Sequence, residues 1–420
     1  MTNKFFFLFT ACLILSSCEK NTAHAPSREE FKEDGPHSQT APIEYLATSS
    51  DQTGRDYPAP WSVSRKTLSG GKQAGVELLT LDNGKIKIVL IPARGMGILE
   101  VISGDLRLGW NSPIKEVVHP SFINLESHGG SGWLEGFNEW MSRGGLAFAG
   151  APGNDQYITK TGDKVEHFLP LNGKIQNTPA SHYEVSVDPA PPYRIRIRGT
   201  LYEAAFKGPS LKLVTEISTV PGSDHFQISD QLTNNSSSHQ EFQLIYKGSY
   251  GSSILEEGAM LFAPATRITP MNDHSSRFIQ KWDTCRGPTE GFKEEVYLLS
   301  PLSDSNSQSM ALLSNRRGDL ATSVRWKTHE LPCLTIRKNT ASEEDGYFTG
   351  IEPGTSYPFN RLVERKYGRV PKLAPKETRT FTLSFGIHQG QQSVDKLIAE
   401  ATQLQTQENL KISPKPPLTK

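Results

Sequence analysis

Six consecutive residues, Tyr193-Arg194-Ile195-Arg196-Ile197-Arg198, alternate between apolar and charged side chains. A period of two puts the arginines on one face of a strand and the apolar groups on the other, and no helical stripe has that spacing. Shorter runs of the same kind occur at Leu211-Lys212-Leu213, Phe226-Gln227-Ile228, Phe242-Gln243-Leu244 and Phe381-Thr382-Leu383-Ser384-Phe385. Nearer the start, Lys85-Ile86-Lys87-Ile88-Val89-Leu90 and Gly97-Ile98-Leu99-Glu100-Val101-Ile102 read as two strands flanking Pro92-Ala93-Arg94-Gly95-Met96. Glycines and prolines are spread through the chain, as turns between many short strands require. Helical spacing is confined to the C-terminus, where Val394, Leu397, Ile398, Ala401 and Leu404 share one face after Ser393, a cap candidate. No solenoid or propeller repeat is present. The expectation is an all-β, antiparallel domain with a short C-terminal helix lying against a sheet edge.

The N-terminus differs in kind. Lys4 precedes an apolar run from Phe5 to Leu15 that ends in Ser16-Ser17-Cys18. It is too short to span a bilayer and reads as an export signal. Leu15-Ser16-Ser17-Cys18 resembles a bacterial lipobox, in which Cys18 carries the lipid; ordinary cleavage near Ser17 is the alternative. Residues 1–18 are therefore expected to be a lipoprotein signal, 19–52 a polar tether, 53–391 the β-domain, and 392–420 a helix and disordered tail. The protein would be exported and lipid-anchored, facing the periplasm. Cys285 and Cys333 then remain in the folded part, either paired or as buried thiols. Forty-five basic residues balance forty-five acidic ones with no basic stripe, so nucleic acid is not an implied partner. No Cys and His spacing suggests a zinc site.

Residues suited to chemistry cluster between Arg94 and Pro152. Arg94-Gly95-Met96-Gly97, Gly109-Trp110-Asn111-Ser112-Pro113, His119-Pro120, Trp133 to Glu139 and Arg143-Gly144-Gly145-Leu146 bring together arginine, tryptophan, asparagine and glutamate. Tryptophan offers a flat apolar face to a sugar ring, while the polar groups can hold hydroxyls. Farther on, Ile351-Glu352-Pro353-Gly354 sets one carboxylate in what reads as a stiff turn, as a general base requires. Walker A, dinucleotide, His-Glu-x-x-His and Gly-x-Ser-x-Gly patterns are absent, which argues against phosphate cradles and acyl transfer. A pair of carboxylates from Glu352 and one of Glu135, Glu139 or Glu295 would suit a glycosidase.

Taken in order, these motifs, with Gly287-Pro288-Thr289-Glu290-Gly291 and Gly350 through Asn360-Arg361, resemble the aldose 1-epimerase (galactose mutarotase) superfamily, and within it an aldose 1-epimerase-like bacterial branch. The resemblance runs from about residue 55 to about 390. It implies an antiparallel β-supersandwich that binds a sugar without a cofactor, with Glu352 as the base that takes the anomeric hydroxyl proton. It further implies binding roles for Arg94, Trp133, Asn138, Arg143, Asn172, Asn360 and Arg361. The chain departs from the branch where two histidines are usual: Asn172 stands in Leu171-Asn172-Gly173, and Lys247 in Tyr246-Lys247-Gly248. Asn172 cannot donate a proton, so His119 or Lys247 is expected to act as the acid. A lysine does so near neutral pH only if burial or a neighbouring cation lowers its pKa. Two other readings stay open: a carbohydrate-binding lipoprotein that has lost its proton donor, and an isomerase or lyase acting at another sugar carbon.

Overall fold

The computed structural model describes residues 42–51, 54–158 and 162–417. Cys18 and the export signal lie outside the described residues. The strands form two large, mainly antiparallel sheets and two small two-stranded pairs. A 13-stranded sheet runs from an edge at Glu44–Thr48 through Met141–Gly144, Ile245–Tyr250, Phe348–Gly354 and Cys333–Asn339 to Ala265–Pro270 and Lys411–Ile412. An eight-stranded sheet runs from His182–Val187 through Ile195–Ala204, His225–Asn234 and Thr378–Gln389 to Met260–Phe262. The all-β expectation holds.

Both sheets turn one face inward. Leu79, Ile88 and Ile98 of the larger sheet pack in one core with Ile197, Leu213, Ile228 and Leu383 of the smaller. Period-two alternation produces this: Ile195 and Ile197 are buried, Arg196 is half-buried, and Arg198 is exposed. The strands expected on either side of Arg94 form at Lys87–Ile91 and Gly97–Ser103 and pair with each other. The run Phe242–Leu244 does not become a strand; it links Gln240–Glu241 to Ile245–Tyr250.

Three other expectations are corrected. Glu44–Thr48 lies inside the supposed tether, yet it pairs with Ser62–Thr67. Lys411–Ile412, assigned to a disordered tail, adds a parallel strand beside Arg267–Ile268. The helix Gln391–Gln405 is capped at Gly390, not Ser393. It covers a sheet face instead of an edge, burying Val394, Leu397 and Ala401 against Met310, Leu312 and Ala321. Its apolar stripe is wide enough to need a face.

Candidate functional site

Four neighbouring strands at the centre of the larger sheet each place one polar side chain in the same row. Lys247 stands opposite Ser142, and Glu352 opposite Thr335. The pairings Ile245 to Gly354 and Gly248 to Ile351 set Lys247 opposite Glu352 as well. Tyr246, Ile336 and Ile351, one residue away in each strand, belong to the core between the sheets. The row Ser142–Lys247–Glu352–Thr335 therefore faces the other way, on the outer side of the sheet.

Glu352 lies within the strand Phe348–Gly354, which corrects the expected turn. Pro353 is tolerated in this central strand because the ladder with Ile245–Tyr250 lapses between the pairs at Gly354 and Ile351. That gap is where its missing N–H would have been needed.

The carboxylate is almost fully buried, and both of its cations sit on one oxygen. Lys247 Nζ is 2.8 Å from Glu352 Oε1, and Arg337 Nε donates to the same atom at 3.1 Å. Arg337 also donates through its Nη1 to Glu294 at 2.6 Å. Gly350 leaves the room for this: a Cβ there would lie 3.2 Å from both Glu352 Oε1 and Arg337 Cβ. Glu352 Oε2 is buried and has no hydrogen-bond partner in the protein, and the same is true of Ser142 Oγ and Thr335 Oγ1. Solitary unpartnered hydroxyls occur elsewhere, at Ser309 and Thr322 for example. Among the described residues, this row is where two of them flank an ion pair with a bare carboxylate oxygen. Buried polar atoms left without partners cost about 1–3 kcal/mol each, so three along one row make it the candidate for holding a polar ligand.

The electrostatics favour a charged base beside a loosened acid. Burial pushes the Glu352 carboxyl up, but Lys247 and Arg337 outweigh it and hold its pKa below the usual value. Burial drives the Lys247 pKa down; Glu352 opposes this and Arg337 adds to it, leaving the ammonium more acidic than an ordinary lysine.

On the same face, Phe348 joins Trp110, Phe137 and Trp133 in an aromatic cluster that also touches Leu171. Val296 and Leu298, opposite Arg337 and Thr335, are covered by Phe359. Asn172 adopts a left-handed backbone and backs onto Gly144, whose Cβ would lie 3.5 Å from its own. Gly144 follows Ser142 on this face, so Asn172 stands at that end of the row.

The remaining expected residues do not join the row. Arg143 is one residue out of phase with Ser142 and points into the core. There it pairs with Asp230 at 2.6 Å and donates to Thr215 Oγ1 at 2.8 Å, while Tyr246 donates to the same Asp230 at 2.8 Å. Arg94 is buried against Glu139 at 2.9 Å and donates to the carbonyls of Val118 and Gly136. Both guanidinium groups are engaged by buried carboxylates, and Arg94 Nε is left buried without a hydrogen-bond partner in the protein. His119 caps the turn Pro120–Phe122, with Nδ1 2.7 Å from Ser121 Oγ. Trp133 has only 1% of its surface exposed, and its ring packs 4.6 Å from Phe137, so it offers no open face. Asn138 donates to Glu116 O at 2.9 Å, and Asn360 caps the helix Arg361–Lys366. Arg361 pairs with Glu241 at 2.9 Å within a network that includes Asp155 and Arg365. Glu139 and Glu295 are likewise committed to buried pairs with Arg94 and Lys338, and Glu135 accepts from Ser127, so none of the three carboxylates expected beside Glu352 joins it; the carboxylate that comes near is Glu294, on the other side of Arg337.

Sequence reasoning missed Arg337, Ser142 and Thr335. The available signal was the alternation of Leu334, Ile336 and Lys338 with Thr335 and Arg337. It identifies two faces but does not say which strand lies alongside. Cys285 and Cys333 are both free and buried.

The chain matches the family described as Domain of unknown function (DUF4432) over residues 73–387. A Klebsiella pneumoniae subsp. pneumoniae MGH 78578 protein, provisionally described as an aldose 1-epimerase, shares 39% identity, with 90% of this chain and 96% of that one aligned at a TM-score of 0.83. A galactose mutarotase-like protein from Clostridium acetobutylicum aligns over 75% of this chain and 96% of its own at a TM-score of 0.52; at 12% identity it speaks for the fold alone. No curated protein matches. The chain belongs to the DUF4432 family and has a galactose mutarotase-like fold.

Proposed function

We propose that the protein binds an aldose over the row Ser142–Lys247–Glu352–Thr335 and interconverts its anomers. The observation that carries this reading is the bare, buried Glu352 Oε2, in a row that ends in an unpartnered hydroxyl on either side, on a carboxylate whose other oxygen holds both cations. In the proposed cycle Oε2 takes the proton of the anomeric hydroxyl while Lys247 gives one to the ring oxygen. The bond between the anomeric carbon and the ring oxygen breaks as a carbonyl forms. Rotation about the next bond presents the other carbonyl face, and both transfers then run in reverse. Ser142 and Thr335 hold neighbouring hydroxyls, and Arg337 keeps Glu352 ionised.

The depressed Glu352 pKa selects among alternatives. A base works best with a pKa near the operating pH, and one held below the carboxylate range is a poor choice for removing a proton from carbon. Taking a proton from oxygen while Lys247 donates another asks less of it. This disfavours isomerisation or elimination at a neighbouring carbon. Support for a sugar ligand also comes from the Klebsiella pneumoniae relative. The Leu15–Cys18 lipobox supports placing this chemistry outside the cytoplasm.

The test is polarimetry over a panel of aldoses, wild type against Glu352→Gln. Accelerated equilibration of at least one sugar, lost in the variant, supports the proposal. Saturable binding with no acceleration for any bound sugar would leave a carbohydrate-binding protein in its place.

A further inference from the structure

A second convergence of side chains lies on the eight-stranded sheet, away from its core face. His225, Gly386 and Ser323 stand opposite one another on three adjacent strands. His388, two residues beyond Gly386, shares their face. A Cβ built on Gly386 would lie 2.8 Å from His225 Nε2 and equally 2.8 Å from His388 Nε2, so both nitrogens converge on the space that this glycine leaves open. The two rings are 5.6 Å apart at 86°. Ser323 Oγ is 2.9 Å from His388 Nε2 and faces the same space.

The far side of His225 is already fixed. Asp224 Oδ1 lies 2.5 Å from His225 Nδ1, and Lys85 anchors the other Asp224 oxygen at 2.9 Å. A carboxylate on Nδ1 keeps the proton there and leaves the Nε2 lone pair facing Gly386, as carboxylates behind metal-binding histidines do. Arg325 and Glu400, the other charged groups beside His388, pair with each other.

We propose that His225 and His388 bind one divalent transition metal through their Nε2 atoms, with the Ser323 hydroxyl as a third donor and solvent completing the coordination. Two imidazoles and a hydroxyl favour copper, nickel or zinc over magnesium or calcium, which prefer all-oxygen sites. The ion would tie the strand His225–Asn234 to Thr378–Gln389. Because the ligands lie on the other sheet, this site and the Glu352 row can be tested separately.

The experiment titrates the purified full-length protein with copper(II), nickel(II) and magnesium chlorides in turn, using equilibrium dialysis and, for copper, electron paramagnetic resonance. His225→Ala/His388→Ala sets the baseline for the other histidines, and His225→Gln serves as a milder variant. Wild type should bind one more equivalent of copper than the double variant, with coupling to two nitrogens and no response to magnesium. Asp224→Asn should weaken binding by about 10–100-fold, as loss of a carboxylate behind a ligand does. Sugar binding should be unchanged in all of these variants. Equal stoichiometry and affinity in wild type and the double variant, or coupling to a single nitrogen, would overturn the proposal.

Discussion

Lys247→Met removes one of the two cations on Glu352 Oε1 while nearly preserving side-chain volume. At 2.8 Å and an effective dielectric of 20, the Lys247–Glu352 attraction is about 6 kcal/mol before desolvation. Arg337, at 3.1 Å, contributes about 5 kcal/mol on the same basis. The substitution therefore removes roughly half of the attraction that offsets burial of the carboxylate. Breaking a buried pair costs about 3–5 kcal/mol, and because Arg337 remains, the expected loss is the lower figure, about 3 kcal/mol in urea unfolding. Losing Lys247 should also raise the Glu352 pKa, since that ammonium is the larger of the two charges holding it down. Carbon-13 NMR titration of the glutamate carboxyls, assigned with Glu352→Gln, reads that shift directly. If Lys247 is the acid, anomer exchange should also fall by about 10²–10⁴-fold. A Glu352 titration that does not move, together with unchanged exchange, would refute both the electrostatic account and the role given to Lys247.

Other consequences separate ligand-binding groups from structural ones. Ser142→Ala and Thr335→Val should leave stability unchanged or slightly raised, since each removes a buried unpartnered hydroxyl; sugar affinity should fall by about 1 kcal/mol per lost hydrogen bond, read by calorimetry. Arg143→Met should do the reverse, costing about 3–5 kcal/mol of unfolding free energy by stranding Asp230, and its effect should appear in denaturation before any selective change in sugar affinity. Glu352 has a lowered folded-state pKa, so its stabilisation is present above its ordinary value of 4.5 and fades as pH falls through the folded value. The stability gap between wild type and Glu352→Gln should accordingly narrow in acid, as acid titration followed by circular dichroism would show. Burial pushes the Cys285 thiol up to about 11 and the Cys333 thiol up to about 12, so neither should react with a thiol reagent until the protein is unfolded in denaturant.

Glu352 was legible in the sequence because Gly-Ile-Glu-Pro-Gly is a distinctive local string. Lys247 was legible because it replaces a histidine in a recognisable frame. The burial that lowers its pKa was not, since desolvation depends on what the fold stacks around a strand. Arg143 illustrates the limit from the other side. It sits in a conspicuous motif, but a strand sends neighbouring side chains to opposite faces, and only the pairing with Tyr246 and Lys247 shows that Ser142 faces the site and Arg143 the core. Arg337 and Thr335 come from an ordinary alternating strand that directly precedes the one carrying Glu352, but alternation alone does not give the register that sets Thr335 opposite Glu352. Strand alternation was sufficient for the fold class but silent on register. The same gap explains Glu44–Thr48 and Lys411–Ile412: short polar segments become strands only when an open edge is beside them.

The most direct measurement is a crystal structure of the Glu352→Gln variant soaked with an aldose that the wild type binds. The account predicts a sugar hydroxyl within about 3 Å of the side-chain atom that replaces Oε2, with further hydroxyls reaching Ser142 Oγ and Thr335 Oγ1. A sugar bound elsewhere, with the row between Ser142 and Thr335 closed to it, would contradict the assignment of this row as the binding site.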